Sequence, residues 1–473
     1  MGEAICSLAA TWSPPLRLSV RHGIMSKATD VVIKDATCSF ESIPFRTPLK
    51  FGGRVMDKGT LVNVDVWVET KGKKAAGQGS MPLGSVWAWP SPTMDPTATD
   101  AAMRLFAEDI VGIAAGLTLS GHPIDLMLAL TAEFDHQARH LARSHKQAEP
   151  LPVLAQLVAT SALDAAIHDA YGRLHGQNSY NVLSSKYMNH DLTEYLDQEF
   201  KGEYLDKYTL REPKPRMPLY HLVGALDPLT PADVAKKVGD GLPETLGDWV
   251  TRDGLTHLKI KLAGDDLDWD VARVLAVDAV VAQAQAARKV DTWVYSLDFN
   301  EKCGSIDYVL DFFQQVKAKN PAAYDRVQYV EQPMHRDLAG PGKQPVHEAA
   351  KLKPVVIDES LVDYESLLAA RELGYSGIAL KACKGQSESL VLAAAAQKFG
   401  LFLCVQDLTC PGFSFLHSAS LAARIPGVVA IEGNGRQYCP RANAMWASQY
   451  PSLFKPKEGT VETGLLAGEG LGF

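Results

Sequence analysis

What this chain lacks narrows its class before any motif is considered. No apolar run approaches the roughly 18 residues of a membrane span, so no membrane partner is expected. The formal net charge is −8, and the absence of a basic surplus argues against nucleic acid as a ligand. Cysteine is scarce: seven in 473 residues, at Cys6, Cys38, Cys303, Cys383, Cys404, Cys410 and Cys439. An odd number with no C-x-x-C pair offers neither a disulfide framework nor a structural zinc site, and predicts reduced thiols in a cytoplasmic protein. The first residues lack the charged start and full apolar core of a secretory signal. Residues 1–29 are expected to be a leader-like or disordered extension, with Met25 as an alternative start. What is present is ordinary for a globular protein, with 46% hydrophobic and 22% charged residues.

Patterning divides the rest. Residues 31–43 and 60–70 read as strands, the second alternating Val62, Val64, Val66 and Val68 with Asn63, Asp65 and Trp67. Between them, residues 44–55 read as a loop, because Pro44, Pro48 and the Gly52–Gly53 pair punctuate it. Residues 77–92 mix glycine, proline and two tryptophans and read as irregular. From Asp100 onward, apolar residues three and four apart predict helices, which makes residues 30–183 an α+β domain. Residues 184–216 are charged, rich in tyrosine and aperiodic; they read as an insertion or linker that covers a binding mouth or mediates contact between copies. From Met217 short apolar runs alternate with helical patterns. Eight candidate strands (217–223, 255–262, 292–297, 327–330, 354–357, 376–380, 401–405 and 428–431) predict a (β/α)₈ TIM-type barrel over residues 217–440. Residues 441–473 would supply the last helix and a tail. An open doubly wound sheet is the alternative, but no glycine-rich phosphate loop follows the first strand.

The run 256–262, THLKIKL, is a strand by strict alternation, and it places Lys259 and Lys261 on one side. Adjacent ammonium groups repel and lower each other's proton affinity, which would let one act as a general base. Catalytic groups of such barrels stand where strands end. Here the second strand ends in Lys261, and the next three end in Asp298, Glu331 and Asp358. The sixth strand ends in Lys381. One carboxylate at a strand end can be a helix cap. Three on successive strands converge on one mouth, where repulsion demands a cation, and oxygen-only ligands in an open shell suit Mg²⁺. A metal beside a substrate carboxylate would neutralise the charge that builds as an α-proton leaves.

At this point the sequence resembles the enolase superfamily, and more closely its muconate-lactonising-enzyme-like branch. HLKIKL resembles the family's Lys-x-Lys strand, LDFN, VEQP and IDES its three metal-ligand strands, and LKACKG the strand with the opposing lysine. Residues 162–183 are similar to the helix leading from the family's capping domain to the barrel, and residues 459–473 to the glycine-rich ending that returns to the cap. The resemblance implies an α+β cap formed by the N-terminal region and the tail, and Asp298, Glu331 and Asp358 as ligands of Mg²⁺, with Mn²⁺ able to substitute. It makes Lys261 and Lys381 acid/bases on opposite faces of a small-molecule carboxylate, with Lys259 tuning Lys261. Asn300 would lie near the metal, Lys384 behind the site or on the surface, and Glu359 is a rival of Asp358 for the third ligand position. Phe51 to Met56 and Pro82 to Trp89 correspond to the family's specificity loops, so that Phe51, Trp87 and Trp89 point to an apolar or ring-bearing substituent. Asp407 and Glu432, with Asn434 and Arg436, are candidates for the mouth, whereas His417 falls in a helical pattern and reads as packed or surface. The implied reaction is racemisation, epimerisation or cycloisomerisation by an isomerase; a lyase dehydrating an acid sugar is the alternative, and a non-catalytic relative the rival from another class. A homo-oligomer is expected.

Overall fold

The computed structural model describes residues 27–51, 54–340 and 343–473. The greater part of the expected N-terminal extension, residues 1–26, and the expected Gly52–Gly53 turn lie outside the described residues.

The chain begins with a four-stranded antiparallel sheet in the order β3-β2-β1-β4, formed by β1 (Val31–Phe51), β2 (Arg54–Thr70), β3 (Lys73–Pro82) and β4 (Ser120–Gly121). The alternation read in β2 sets its facing: Val62, Val64, Val66 and Val68 are buried while Trp67 is turned outward. The expected loop over residues 44–55 is instead mostly strand. β1 and β2 continue as a long ribbon, paired through Leu49 with Met56 and Lys50 with Val55, after a register shift between Pro44 and Leu49. Proline cannot donate to a ladder, but β4 pairs with β1 only at Val31 and Val32. This part of β1 is therefore an edge that tolerates Pro44 and Pro48. The stretch read as irregular is likewise ordered: it is the end of β3 followed by a short helix, Ser85–Ala88. Its glycines are there for packing. A Cβ on Gly79 would lie 1.9 Å from the carbonyl oxygen of Ala162, and one on Gly77 would lie 2.2 Å from the amide of Ala170.

The element those glycines admit is the helix Val153–Leu174, apolar or small on every side and buried over nearly its whole length. A helix buried all round sits between layers. Helices Pro96–Ala115 and Pro123–Ser144 pack outside it, the first capped by Asp95, whose carboxylate accepts from the amides of Thr97 and Ala98.

All eight expected strands form: β5 (Met217–Val223), β6 (His257–Lys261), β7 (Val294–Asp298), β8 (Val327–Glu331), β9 (Val355–Ile357), β10 (Gly377–Leu380), β11 (Phe402–Val405) and β12 (Ile431–Glu432). Each pairs in parallel with the next, and β12 pairs with β5 to close the barrel. Helices 267–288, 306–319, 364–372, 386–398 and 413–424 form its outer layer. A helix missed in the sequence, Leu246–Asp253, precedes β6; it is capped by Thr245 and stopped by Gly254 at φ 72°. The short strand β13 (Thr460–Val461) pairs antiparallel with the start of β5.

Residues 184–216 do not reach the mouth. They run along the outer helices, where Tyr364 donates to Asp197, Gln397 donates to the carbonyl of Tyr208, and the Leu210 amide donates to the carbonyl of Arg424. Phe200, Leu205 and Tyr208 bury against that surface. The tail closes the fold, since the amides of Ser179 and Leu471 bond to the Gly470 carbonyl and to Asp169 respectively. The barrel thereby stays fastened to the buried helix of the cap.

Candidate active site

Parallel register puts the strand-end residues at one level. Lys261 pairs with Asp298 across β6 and β7, and Asp298 with Glu331 across β7 and β8. Asp358 follows directly on β9 and Lys381 on β10. β6 and β10 are the second and sixth of eight strands and so stand across the barrel from each other, while the three carboxylates occupy the arc between them.

These side chains meet. The Lys259 ammonium contacts Glu331 at 2.8 Å, Asp298 at 3.1 Å and Glu432 at 3.1 Å. Lys261 contacts Asp298 at 2.5 Å and donates to Asn300 Oδ1 at 2.9 Å. Lys381 contacts Asp358 Oδ2 at 2.8 Å, and Lys384 reaches Asp358 Oδ1 at 3.2 Å. Lys384 is thus inside the site, brought there by the 3₁₀ turn Ala382–Lys384, whose three-residue period returns it to the side of Lys381.

Burial and neighbours pull on these groups in opposite directions. Burial alone would lower the Lys259 ammonium, but Asp298, Glu331 and Glu432 raise it well above the usual lysine range. The direction at Lys259 is thus set by its carboxylate neighbours, opposite to that expected from a like-charged neighbour alone. Lys381 is raised for the same reason, with Asp358 overcoming the cost of burial. Burial pushes Asp298 and Asp358 upward, yet the lysines beside each bring both below the carboxylate range. Glu331, buried and beside Asp298, is raised well above it. Glu359 is pushed up to about 7 by burial and Asp358, and Asp407 to about 6 by burial and Glu432.

The reason is visible in the charges. Six buried carboxyl groups (Asp298, Glu331, Asp358, Glu359, Asp407 and Glu432) face four buried ammonium groups (Lys259, Lys261, Lys381 and Lys384). The surplus of two negative charges equals that of one divalent cation, and the donors are all hard oxygens. Glu359 Oε2 is buried with no hydrogen-bond partner, and Asp358 Oδ2 has only the Lys381 ion pair, without hydrogen-bond geometry. In donor chemistry and charge the residues fit such an ion. In spacing the site is not preformed: among the described residues no group of three or more His, Cys, Asp or Glu side chains is disposed to hold a metal. The Lys259 ammonium stands among the carboxylates and draws them to itself.

Above these groups lies a cavity of about 340 Å³, lined by Lys259, Lys261, Lys381, Asp407, Glu432 and Asn434 below and by Phe45, Leu49, Phe51, Met56, Trp87, Leu222 and Leu408 on its walls. The ribbon of β1 and β2 therefore forms the roof. The Phe51 ring lies over Lys261, 4.7 Å from its ammonium, and the Trp87 ring lies over Lys381 at 4.5 Å. Trp89 does not join them. It packs within the cap, its indole donating to Glu149 at 2.9 Å, so its expected contact with substrate is corrected. Asn300 lies among the carboxylates, its backbone amide donating to Asp298 and its side chain to Glu359, and is behind Lys261 rather than on the cavity wall. Arg436 is withdrawn from the mouth, paired with Asp253 and His221. Asp407 lines the cavity, but its oxygens already accept from the amides of Leu408, Cys410 and Asn434. His417 is packed, bonded to Gln386. Gln406, which carried no role in the sequence, donates to Glu331; a polar residue one past a strand end was the available signal.

Residues 242–473 match the family model described as enolase C-terminal domain-like. Comparison with curated proteins returns no match. Solved structures share the fold. The L-Ala-D/L-Glu epimerase of Bacillus subtilis, in a substrate-liganded complex, superposes with a TM-score of 0.60 at 17% identity, over 93% of this chain and 98% of that one. A dipeptide epimerase of Enterococcus faecalis, complexed with Mg and the dipeptide L-Leu-L-Tyr, gives 0.59 at 16% identity over 93% and 99%. The muconate lactonizing enzyme of Pseudomonas fluorescens, complexed with muconolactone, gives 0.57 at 16% identity over 93% and 96%. Residues 242–473 thus belong to the enolase C-terminal domain-like family, and the chain has the fold of the epimerases and the muconate lactonizing enzyme it superposes on.

Proposed function

We propose that the protein is an enzyme that removes the α-proton of a small carboxylate, the carbanion then regaining a proton as in a racemase or epimerase, or expelling the β-oxygen of a ring as in a cycloisomerase, whose reverse closes the ring and protonates the carbanion. One observation carries this reading: Lys261 and Lys381 line one cavity from opposite sides of the barrel, with a crowd of carboxylates between them. A carbon held between two amines can lose a proton to one and gain a proton from the other.

Asp298, Glu331 and Asp358 would hold a divalent cation, Mg²⁺ by their hard oxygens. When bound, such an ion supplies positive charge beside the substrate carboxylate. The remaining work falls to the chain's own groups. Lys261 Nζ takes or gives the proton on one face and Lys381 Nζ on the other. Lys259 holds Glu331 and Glu432 in place and keeps positive charge at the cavity floor. The apolar walls exclude water from the reacting carbon.

Those walls also favour one substrate class. Phe45, Leu49, Phe51, Met56, Leu222 and Leu408 make up much of the wall above the lysines, and Asp57, Lys58, Asp100 and Arg104 also line the cavity. The oxygens of Asp407 and Glu432 are already engaged by backbone amides, Lys259 and Asn434. A carboxylate with an apolar distal part suits the apolar portion of this wall better than a polyhydroxylated acid, whose hydroxyl groups would lose water against it. This favours isomerase chemistry over dehydration of an acid sugar.

The test is a screen of apolar-tailed carboxylates with Mg²⁺ in D₂O, followed by proton NMR. A racemase should exchange the α-proton of both enantiomers. Lys261→Ala should lose exchange with one enantiomer and keep some with the other, and Lys381→Ala should show the mirror-image loss. Full exchange by the double variant would remove the lysines from the mechanism.

A further inference from the structure

One side chain of the cap touches one lysine of the pair and is linked to the other through hydrogen bonds. Trp87 belongs to the short helix Ser85–Ala88, which follows β3, and it is buried. Its ring faces Lys381. Its indole N–H donates to Glu359 Oε1 at 3.0 Å, and the same oxygen accepts from Asn300 Nδ2 at 3.2 Å. Asn300 Oδ1 in turn accepts from Lys261 at 2.9 Å. A chain of hydrogen bonds thus runs from the cap through Glu359 and Asn300 to the lysine across the barrel.

The backbone around this chain is held by the same partners. Asn300 and Glu301 have φ of 45° and 61°, a region that residues other than glycine enter at a cost and keep only when their surroundings impose it. Glu301 accepts from Arg336 with both oxygens, Oε1 from Nη2 and Oε2 from Nε, and Arg336 Nη2 donates to the Trp87 carbonyl at 3.1 Å. Trp87 is therefore tied by its ring to one lysine, and by its indole N–H and its carbonyl to the loop that positions the other.

We infer that Trp87 is a positioning residue for both proton-transfer lysines, its ring holding Lys381 and its indole N–H holding Lys261 by way of Glu359 and Asn300. The inference rests on the reading of Lys261 and Lys381 given above. Its physical basis is that a buried hydrogen bond fixes geometry because the alternative is an unpaired polar group, while an aromatic face fixes an ammonium by its quadrupole. Ring and N–H have separate targets, so they can be removed separately.

The experiment needs no substrate. The full chain is labelled briefly with acetic anhydride at one mildly alkaline pH, and the acetylation of each lysine is read by peptide mass spectrometry. Trp87→Phe keeps a ring and removes the N–H; labelling of Lys261 should rise about fivefold, the change that loss of one hydrogen bond sets, with Lys381 unchanged. Trp87→Leu should raise both. Glu359→Gln keeps an acceptor for both donors and should label like the wild type, whereas Glu359→Ala should follow Trp87→Phe. Should Trp87→Leu fail to fold, the Phe and Gln variants still decide the matter. The inference is overturned if Trp87→Phe moves both lysines equally or neither, or if Glu359→Gln is as disruptive as Glu359→Ala. Each of these results would leave the α-proton reading standing, because no substrate enters the measurement.

Discussion

Lys259 shows how one residue can organise a site without being its base. Its ammonium satisfies parts of three carboxylates that would otherwise repel one another in a buried space. Glu331, Glu359 and Asp407 still hold protons more tightly than free carboxylates, first through burial and then through the neighbouring carboxylates. From this follows an expectation for metal binding. Asp298→Asn, Glu331→Gln and Asp358→Asn should each weaken Mg²⁺ by more than ~100-fold, since loss of outer-shell partners alone costs about 10- to 100-fold. Glu359→Gln should weaken it by less than ~10-fold, because Glu359 is engaged by Trp87 and Asn300 rather than by the lysines. Magnesium titration calorimetry on the four variants distinguishes them. A silent Asp358→Asn beside a failed Glu359→Gln would reassign the third ligand position.

Among the elements, β3 and the helix Val153–Leu174 make the tightest demand on sequence. Gly77 and Gly79 leave room for the helix backbone itself, and backbone cannot swing aside as a side chain can. Gly79→Ala should therefore destabilise the protein by about 2–3 kcal/mol, the range of overpacking in a well-filled core. Gly112→Ala, in the helix Pro96–Ala115 with open space beside it, should be neutral or gain a few tenths of a kcal/mol. Urea unfolding followed by circular dichroism compares the two. Equal stability of both variants would show that the helix can move away from the sheet. The β1–β2 ribbon makes a different demand. It can arch over the barrel because β1 is an edge there, and its reward is the placement of Phe45, Leu49 and Phe51 on the cavity wall.

At the scale of the molecule, cap and barrel are joined through buried polar groups whose titration couples stability to pH. Burial lowers His122 and His417 to about 4, and holds His168 well below its ordinary value. Their ordinary value is near 6.5. Below that value the unfolded chain takes up protons that the folded chain refuses, so the stability these histidines contribute is complete above pH ~6.5 and is lost as pH falls toward 4. Asp164, raised to about 6 by burial, acts in the opposite sense: the folded state accepts its proton first, so stability is gained as pH falls from about 6 toward the usual carboxylate value. The two effects oppose each other between pH ~6 and ~4, so the histidine contribution is isolated only by removing one histidine. His417→Gln removes one titrating group while retaining a donor for Gln386. It should lose about 2 kcal/mol less than the wild type between pH ~7 and ~5, measured by urea unfolding at each pH. An unchanged difference would mean that His417 titrates normally in the folded chain.

The barrel was legible in the sequence because its signals are local. Eight apolar runs bounded by turn residues identify eight strands, and the residue that ends each run falls at the mouth by the period of a strand alone. Lys259, Lys261, Asp298, Glu331, Asp358 and Lys381 were found in this way, and the structure brings all six together. What the sequence left undecided depends on partners far along the chain. Pro44 and Pro48 read as a loop until an unpaired edge makes room for them. Gly77 and Gly79 read as irregular until a helix lies against them. Trp87 and Trp89 are two residues apart and equal in every local respect, yet one faces the lysines and the other faces Glu149. Lys384 enters the site by one 3₁₀ turn, and Glu359 is separated from its neighbour's lysine partners by the direction of one side chain. Periodicity determines which face of an element is buried. Only packing determines what that face meets, because contacts between elements are set by the closure of the whole barrel and the seating of the cap on it.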